Sequence, residues 1–425
     1  MKQLYNQTIN EKIFYQELDN GLKVYVMPKK GFTKQFAIFA THFGSNDSKF
    51  IIPGEKNVTQ VPDGVAHFLE HKMFEEKEGS VFEKFSKLGA SANAFTNFTT
   101  TAYLFTSTEN FYKNLELLIK FVQSPYFTDE NVEKEKGIIA QEIRMYDDDP
   151  NWQVYFNTLK AMYSEFPVRI DIAGSIESIS RITKEDLYKC YNTFYHPENM
   201  VLFAIGDIDI DKTLDLVNSV SIKGERQGEI QRIYNEEPNI VYQKVIEKYM
   251  EVSMPMFNLG FKDLDIGYGT QKLLKKDITT QICLEMLIGR SSNLYEILYK
   301  DGLIDTSLDF EYVGEVKYGY SIIGGQSKDP YKIKDVILDN LQKPDILKEE
   351  DFYRIKKKYI GKFLRAFNSI EGIAQSFINY YMKDINLLQY VDVLNEITYQ
   401  NVIDRYMEHF NENNNVISVI NPAKN

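Results

Sequence analysis

Cysteine occurs only twice, at Cys190 and Cys283, far apart and with no metal-type or redox-type spacing around either one. That scarcity excludes a disulfide-stapled scaffold and suits a reducing compartment. No apolar run approaches the roughly 20 residues that a membrane-spanning helix needs. Residues 1–28 also lack an apolar stretch after the first lysine, so the reading is a soluble, cytoplasmic chain with no membrane insertion. Basic residues are outnumbered, 49 against 61 acidic, and the net charge of -12 excludes the phosphate-neutralising surface of a nucleic-acid binder. What is present is the material of a packed core: 43% hydrophobic residues, including 29 tyrosines and 28 phenylalanines, which favour sheets. At 425 residues the chain exceeds one ordinary core and predicts two large domains.

The chain is written twice. Residues 182–188 begin a capped helix that runs through Phe194 and Tyr195 to His196-Pro197-Glu198-Asn199 and a strand over 201–205. Residues 397–403 repeat that start and lead through Phe410 and residues 411–414 to a strand over 416–420, at an offset of 397 − 182 = 215. A second pairing sets Tyr112-Lys113, Leu115, Leu118, Ile119, Gln123 and Pro125 against Tyr331-Lys332, Ile337, Leu338, Gln342 and Pro344, at 331 − 112 = 219. Two matches at nearly one offset, in the same order, predict a duplicated domain. Each copy mixes early strands with helices and reads as α+β: two homologous domains, each an antiparallel sheet with helices packed on one face. The polar, aperiodic stretch from Lys223 through Pro238 predicts a linker over 223–245, between a first domain at 1–222 and a second at 246–425.

The segment Val65-Ala66-His67-Phe68-Leu69-Glu70-His71-Lys72-Met73-Phe74 carries chemistry. Its apolar positions wrap a helix that must be mostly buried, yet two of the chain's five histidines stand on it, four residues apart. That spacing is about one turn, so both imidazoles project from one side, with Glu70 beside them and within reach of a metal-bound water. A catalytic zinc takes three protein ligands and one open position, so a third ligand is needed. The helix around Asn131 to Glu142 offers carboxylates at Glu135 and Glu142, two turns apart on one face, while Ile138 and Ile139 pack elsewhere. The bland alternatives are a hydrogen-bonded histidine face and a solvated pair of glutamates.

The order His-x-x-Glu-His reverses the commoner zinc-protease motif and resembles the signature of the pitrilysin/insulinase family, which includes the mitochondrial processing peptidases. The resemblance spans nearly the whole chain. It implies that His67, His71 and Glu142 hold one Zn2+ per chain, with Glu142 following at 142 − 71 = 71 residues, and that Glu70 is the general base. Glu135 matches a supporting catalytic carboxylate of the family. The resemblance also implies one active and one inert copy. At an offset of 213 the motif falls on Thr280-Gln281-Ile282-Cys283-Leu284, and at an offset of 219 or 220 Glu142 falls on Gly361 or Lys362, so no metal could bind there. The segment Ser91-Ala92-Asn93-Ala94-Phe95-Thr96 looks like the family's edge strand beside the zinc, with Asn93 as a substrate-binding residue. The implied activity is zinc-dependent endopeptidase cleavage of extended peptides or small unfolded polypeptides within a closed chamber.

One part of the family pattern is missing. Members carry an Arg, and a Tyr about seven residues later, in the domain opposite the zinc; here Tyr299 stands in the Arg place and Asp305 or Thr306 in the Tyr place. Such donors supply preorganised electrostatic stabilisation. Their loss points to a homologous second subunit that brings the Arg/Tyr pair, as in the zinc half of the paired peptidases of Gram-positive bacteria, or to a homodimer using Arg290 or Arg365. The alternatives are a non-catalytic scaffold of the same fold and a peptide-binding chaperone. The run Asp147-Asp148-Asp149-Pro150 reads as a solvated turn, and His42, His196 and His409 read as structural.

Overall fold

The computed structural model describes every residue except Glu78, Arg226, Thr306, Ser307, Gln342, Lys424 and Asn425. The repeat position Gln342, the linker residue Arg226 and the Tyr-place candidate Thr306 therefore lie outside the described residues.

Strand Met200–Gly206 is buried at every residue, because the run MVLFAIG has no polar side to turn toward water. It is the fourth strand of a seven-stranded sheet, in the order Lys2–Asn6, Glu11–Glu17, Lys23–Pro28, Met200–Gly206, Gln35–Thr41, Thr101–Ser107, Ala90–Thr96. Neighbours are antiparallel except Lys23–Pro28 and Met200–Gly206, which run parallel. Successive strand residues face opposite sides. Val24, Val26, Ala37, Phe39, Leu202 and Ala204 join a core with Leu69 of helix Val65–Met73, Leu115 of Phe111–Val122 and Leu187 of Lys184–Phe194. The alternate residues Tyr25 and Phe203 meet Phe377 of helix Ile370–Tyr381, at ring separations of 4.8 and 4.3 Å. This compact unit comprises Met1–Ile143, Ile170–Tyr234 and Ala366–Met382.

The second unit comprises Arg144–Arg169, Asn235–Arg365 and Lys383–Asn425. Its five-stranded sheet runs Val245–Met250, Asn415–Pro422, Met256–Lys262, Gly319–Gln326, Asp309–Gly314, again with its first pair parallel and the rest antiparallel. That is the order of the last five strands of the first sheet, so the duplication seen in the sequence is a duplication of topology. Helix Thr270–Ile288 comes after strand Met256–Lys262 here as Val65–Met73 comes after Gln35–Thr41 there.

The units depart from the sequence halves 1–222 and 246–425 in one respect. Helix Pro150–Met162 packs on the second unit's sheet, while its repeat partner Ile370–Tyr381, at 370 − 150 = 220, packs on the first unit's sheet. Gly260 admits the former: a Cβ there would lie 2.0 Å from Met162 Cε and 2.7 Å from Thr158 Cγ2. Each sheet thus has most of its helices on one face and an exchanged helix on the other. The chain passes between the units at five places, of which one, between Tyr234 and Asn235, falls in the stretch 223–245.

Candidate metal centre

The helix that carries both histidines is short, Val65–Met73, and its entry is set by backbone alone. Gly64 adopts φ 90°, and a Cβ there would sit 2.4 Å from Ala173 O, so only glycine fits. Val65, Ala66, Phe68, Leu69 and Met73 are buried, which fixes the helix's rotation and turns His67 and His71 to a common side. Their rings lie 4.6 Å apart.

The second element is helix Asp129–Asp147. Thr128 and Asn131 exchange hydrogen bonds at its start: Thr128 N donates to Asn131 Oδ1 at 2.9 Å and Asn131 N to Thr128 Oγ1 at 3.1 Å. Ile139 is fully buried, but Ile138, expected to pack, is 46% exposed. Burying Ile139 directs Glu135 and Glu142 at the histidines. Glu142 Oε1 lies 3.7 Å from His67 Nε2, and its Oε2 lies 3.5 Å from His71 Nε2. His71 Nδ1 lies 3.1 Å from Glu135 Oε1.

Ligand atoms of His67, His71 and Glu142 all fall within 4.8 Å of one another, the only such group of three or more among the described residues. Two imidazole nitrogens and a carboxylate oxygen are a zinc donor set. Tetrahedral bonds of roughly 2.0 to 2.2 Å put donors on the order of 3.3 Å apart, close to the spacings here. The residues present therefore fit the ion. At the corresponding place in the second unit, helix Thr270–Ile288 carries Thr280 and Cys283; Thr280 Oγ1 accepts from Arg405 Nε at 2.8 Å, and Cys283 is fully buried.

The electrostatics separate the members of the cluster. Burial, with the neighbouring His71, lowers His67 to about 4 against the pull of Glu142 and Glu135. His71 is buried too, but the Glu135 hydrogen bond and nearby carboxylates outweigh this and raise it. Burial likewise opposes ionisation of Glu135, yet the His71 hydrogen bond and the Lys72 ammonium hold it below the usual carboxylate range. Burial raises Glu70, helped by Glu142 and opposed by its hydrogen bond from Thr96 and by His71.

Of the sequence-predicted residues, His67, Glu70, His71, Glu135 and Glu142 come together. Asn93 does not join them. It lies on the edge strand Ala90–Thr96, where Ala90, Ala92 and Ala94 pack on the core, and by alternation its exposed side chain points to the other face. Its Oδ1 accepts from Ala94 N at 2.9 Å. Two residues that the sequence did not single out join the cluster. Thr96 Oγ1 donates to Glu70 Oε2 at 2.7 Å, and Lys72, fully buried, reaches Glu75 and Glu135. A lysine on a helix of otherwise apolar and ligand residues was the available signal for the latter. Tyr299 is 56% exposed, and Tyr299, Asp305, Arg290 and Arg365 all belong to the second unit.

A twice-built α+β chain with an inverted histidine motif and a distal glutamate defines one class of proteins, built on the fold of the inverted-motif metallopeptidases. The chain belongs to the insulinase family, peptidase family M16, whose profile it matches over residues 54–175; residues 181–359 match the peptidase M16 inactive domain. It is similar to an uncharacterized zinc protease, YmfH, of Bacillus subtilis (strain 168), with 46% identity over 405 residues and 95% of each chain covered. The crystal structure of an M16-like peptidase from Alicyclobacillus acidocaldarius matches with a TM-score of 0.92 at 38% identity, over 97% of this chain and 98% of that one. Subunit 1 of the mitochondrial cytochrome b-c1 complex of Mus musculus is 29% identical over 227 residues, 52% of this chain and 43% of its own length. No helix among the described residues is long and apolar enough to cross a membrane.

Proposed function

We propose that the chain is a zinc-dependent endopeptidase in which His67, His71 and Glu142 hold one zinc ion and Glu70 is the general base. The observation that carries this reading is the convergence of the three ligand side chains within 4.8 Å, with Glu70 on the same short helix. Zinc held by these residues would supply Lewis acidity toward the scissile carbonyl and toward the attacking water. Glu70 takes the proton of the attacking water on one carboxylate oxygen and returns it to the leaving amine nitrogen. The other oxygen is engaged by Thr96, and burial raises the carboxyl toward the pH at which a base works best. Glu135 accepts from His71 Nδ1, which keeps that ring's Nε2 toward Glu142.

Among the described residues Ala90–Thr96 ends its sheet and pairs on one side only, with Thr101–Ser107, which supports addition of an extended peptide as a further strand. Asn93, on that strand, is the proposed substrate-binding residue, acting on the part of the peptide that lies away from the histidine helix. The substrate class is extended peptides or small unfolded polypeptides in a closed chamber. A homologous second subunit brings the Arg/Tyr pair, or a homodimer uses other donors, Arg290 or Arg365, in the cytoplasm. A scaffold role is the second reading, favoured by the similarity to the cytochrome b-c1 subunit; the complete ligand set and base weigh against it.

The test is Glu70→Gln, assayed with its partner subunit where one is needed. Zinc content stays at one per chain and cleavage of a quenched-peptide library falls by about 100-fold or more. Retained cleavage in that variant would remove the assignment.

A further inference from the structure

Lysine is almost never fully buried unless its charge is paired. Lys72 has no exposed side-chain surface, stands next to His71 on the histidine helix, and turns its ammonium toward two carboxylates. One is Glu75, whose side chain is 37% exposed. The other is Glu135, with Oε2 at 3.5 Å from Lys72 Nζ. The opposite oxygen, Glu135 Oε1, is the one that lies 3.1 Å from His71 Nδ1. A single carboxylate thus joins an imidazole to a buried ammonium.

We infer that Lys72 is a positioning residue for the metal ligand His71, acting through Glu135. The inference rests on the reading of His67, His71 and Glu142 as ligands. Pinning Oε2 leaves Oε1 aimed at His71 Nδ1, so that nitrogen carries the ring proton and Nε2 keeps its lone pair for a divalent cation. The ammonium also offsets the repulsion that Glu135 would otherwise exert on Glu142 and Glu70 in a water-poor site. Its position at the end of the helix's second turn, next after His71, leaves it in reach of the carboxylate behind.

The bland alternative is that Lys72 only fastens the turn containing Glu75 to the helix. Zinc affinity, read by competition with a chromophoric chelator, separates the two. Lys72→Met weakens zinc binding by about tenfold, the usual effect of losing an outer partner of a ligand. Glu135→Gln weakens it comparably, and the double variant is no weaker than Glu135→Gln alone, because Lys72 acts only through that carboxylate. Unchanged affinity in Lys72→Met, or losses that add in the double variant, would overturn the inference. If Lys72→Met does not fold, Glu75→Gln decides: it leaves zinc affinity unchanged, whereas a tenfold loss would assign Lys72 to the turn instead. Failure of the unmodified chain to bind zinc would remove the ligand reading itself, an outcome distinct from equal binding by the unmodified and Lys72→Met chains.

Discussion

Thr96 Oγ1 lies 2.7 Å from Glu70 Oε2 and 3.3 Å from Thr101 Oγ1, whose own hydrogen goes to Phe43 O at 2.9 Å. The base is therefore held by the last residue of the strand on which an extended peptide would add. Thr96→Val removes the donor but keeps the shape. It lowers kcat about tenfold, on the scale of one charge-assisted hydrogen bond, with zinc content unchanged, and Thr96→Ser restores most of the rate. Equal kcat in Thr96→Val and the unmodified chain would show the contact to be incidental. The residue scale is also where the sequence was most and least legible. His67, Glu70 and His71 could be read directly because one helical turn brings them together locally. Glu142 stands 71 residues beyond His71, and family resemblance, not spacing, selected it over Glu135. Thr96 and Lys72 were not singled out because nothing local marks a hydroxyl or an ammonium for a carboxylate on another element.

Helices Pro150–Met162 and Ile370–Tyr381 occupy the same place in the repeat, 220 residues apart, and each lies on the sheet built mainly from the other half of the sequence. The repeat was legible because helix starts and strand order recur; the exchange was not, because the offset is the same whichever sheet receives the helix. Gly260 is the contact that a side chain would spoil, through Met162 and Thr158. Gly260→Val forces overpacking between strand Met256–Lys262 and the exchanged helix, costing about 1 to 3 kcal/mol. Thermal unfolding of the second unit should fall accordingly; an unchanged midpoint would mean that the helix can move away freely.

At the scale of the whole molecule, each unit encloses a neutral histidine. Burial, reinforced by Arg232, lowers His42 to about 3, and burial, reinforced by Arg405, lowers His409 to about 3 against Asp263. The folded pKa lies below the unfolded value of about 6.5 in both cases, so the unfolded chain binds more protons between those limits. Their contribution to stability is complete above about pH 6.5 and is lost progressively as pH falls toward 3. Denaturant midpoints measured from pH 7 to pH 4 should decline, and His409→Gln should flatten the decline; an identical pH slope in that variant would contradict the linkage. Native mass spectrometry of the purified chain titrated with zinc reads metal binding at His67, His71 and Glu142. One zinc per chain is expected, lost in His71→Ala and kept in Glu70→Gln. No bound zinc, or zinc that persists when His67 and His71 are both replaced by alanine, would contradict binding at these residues.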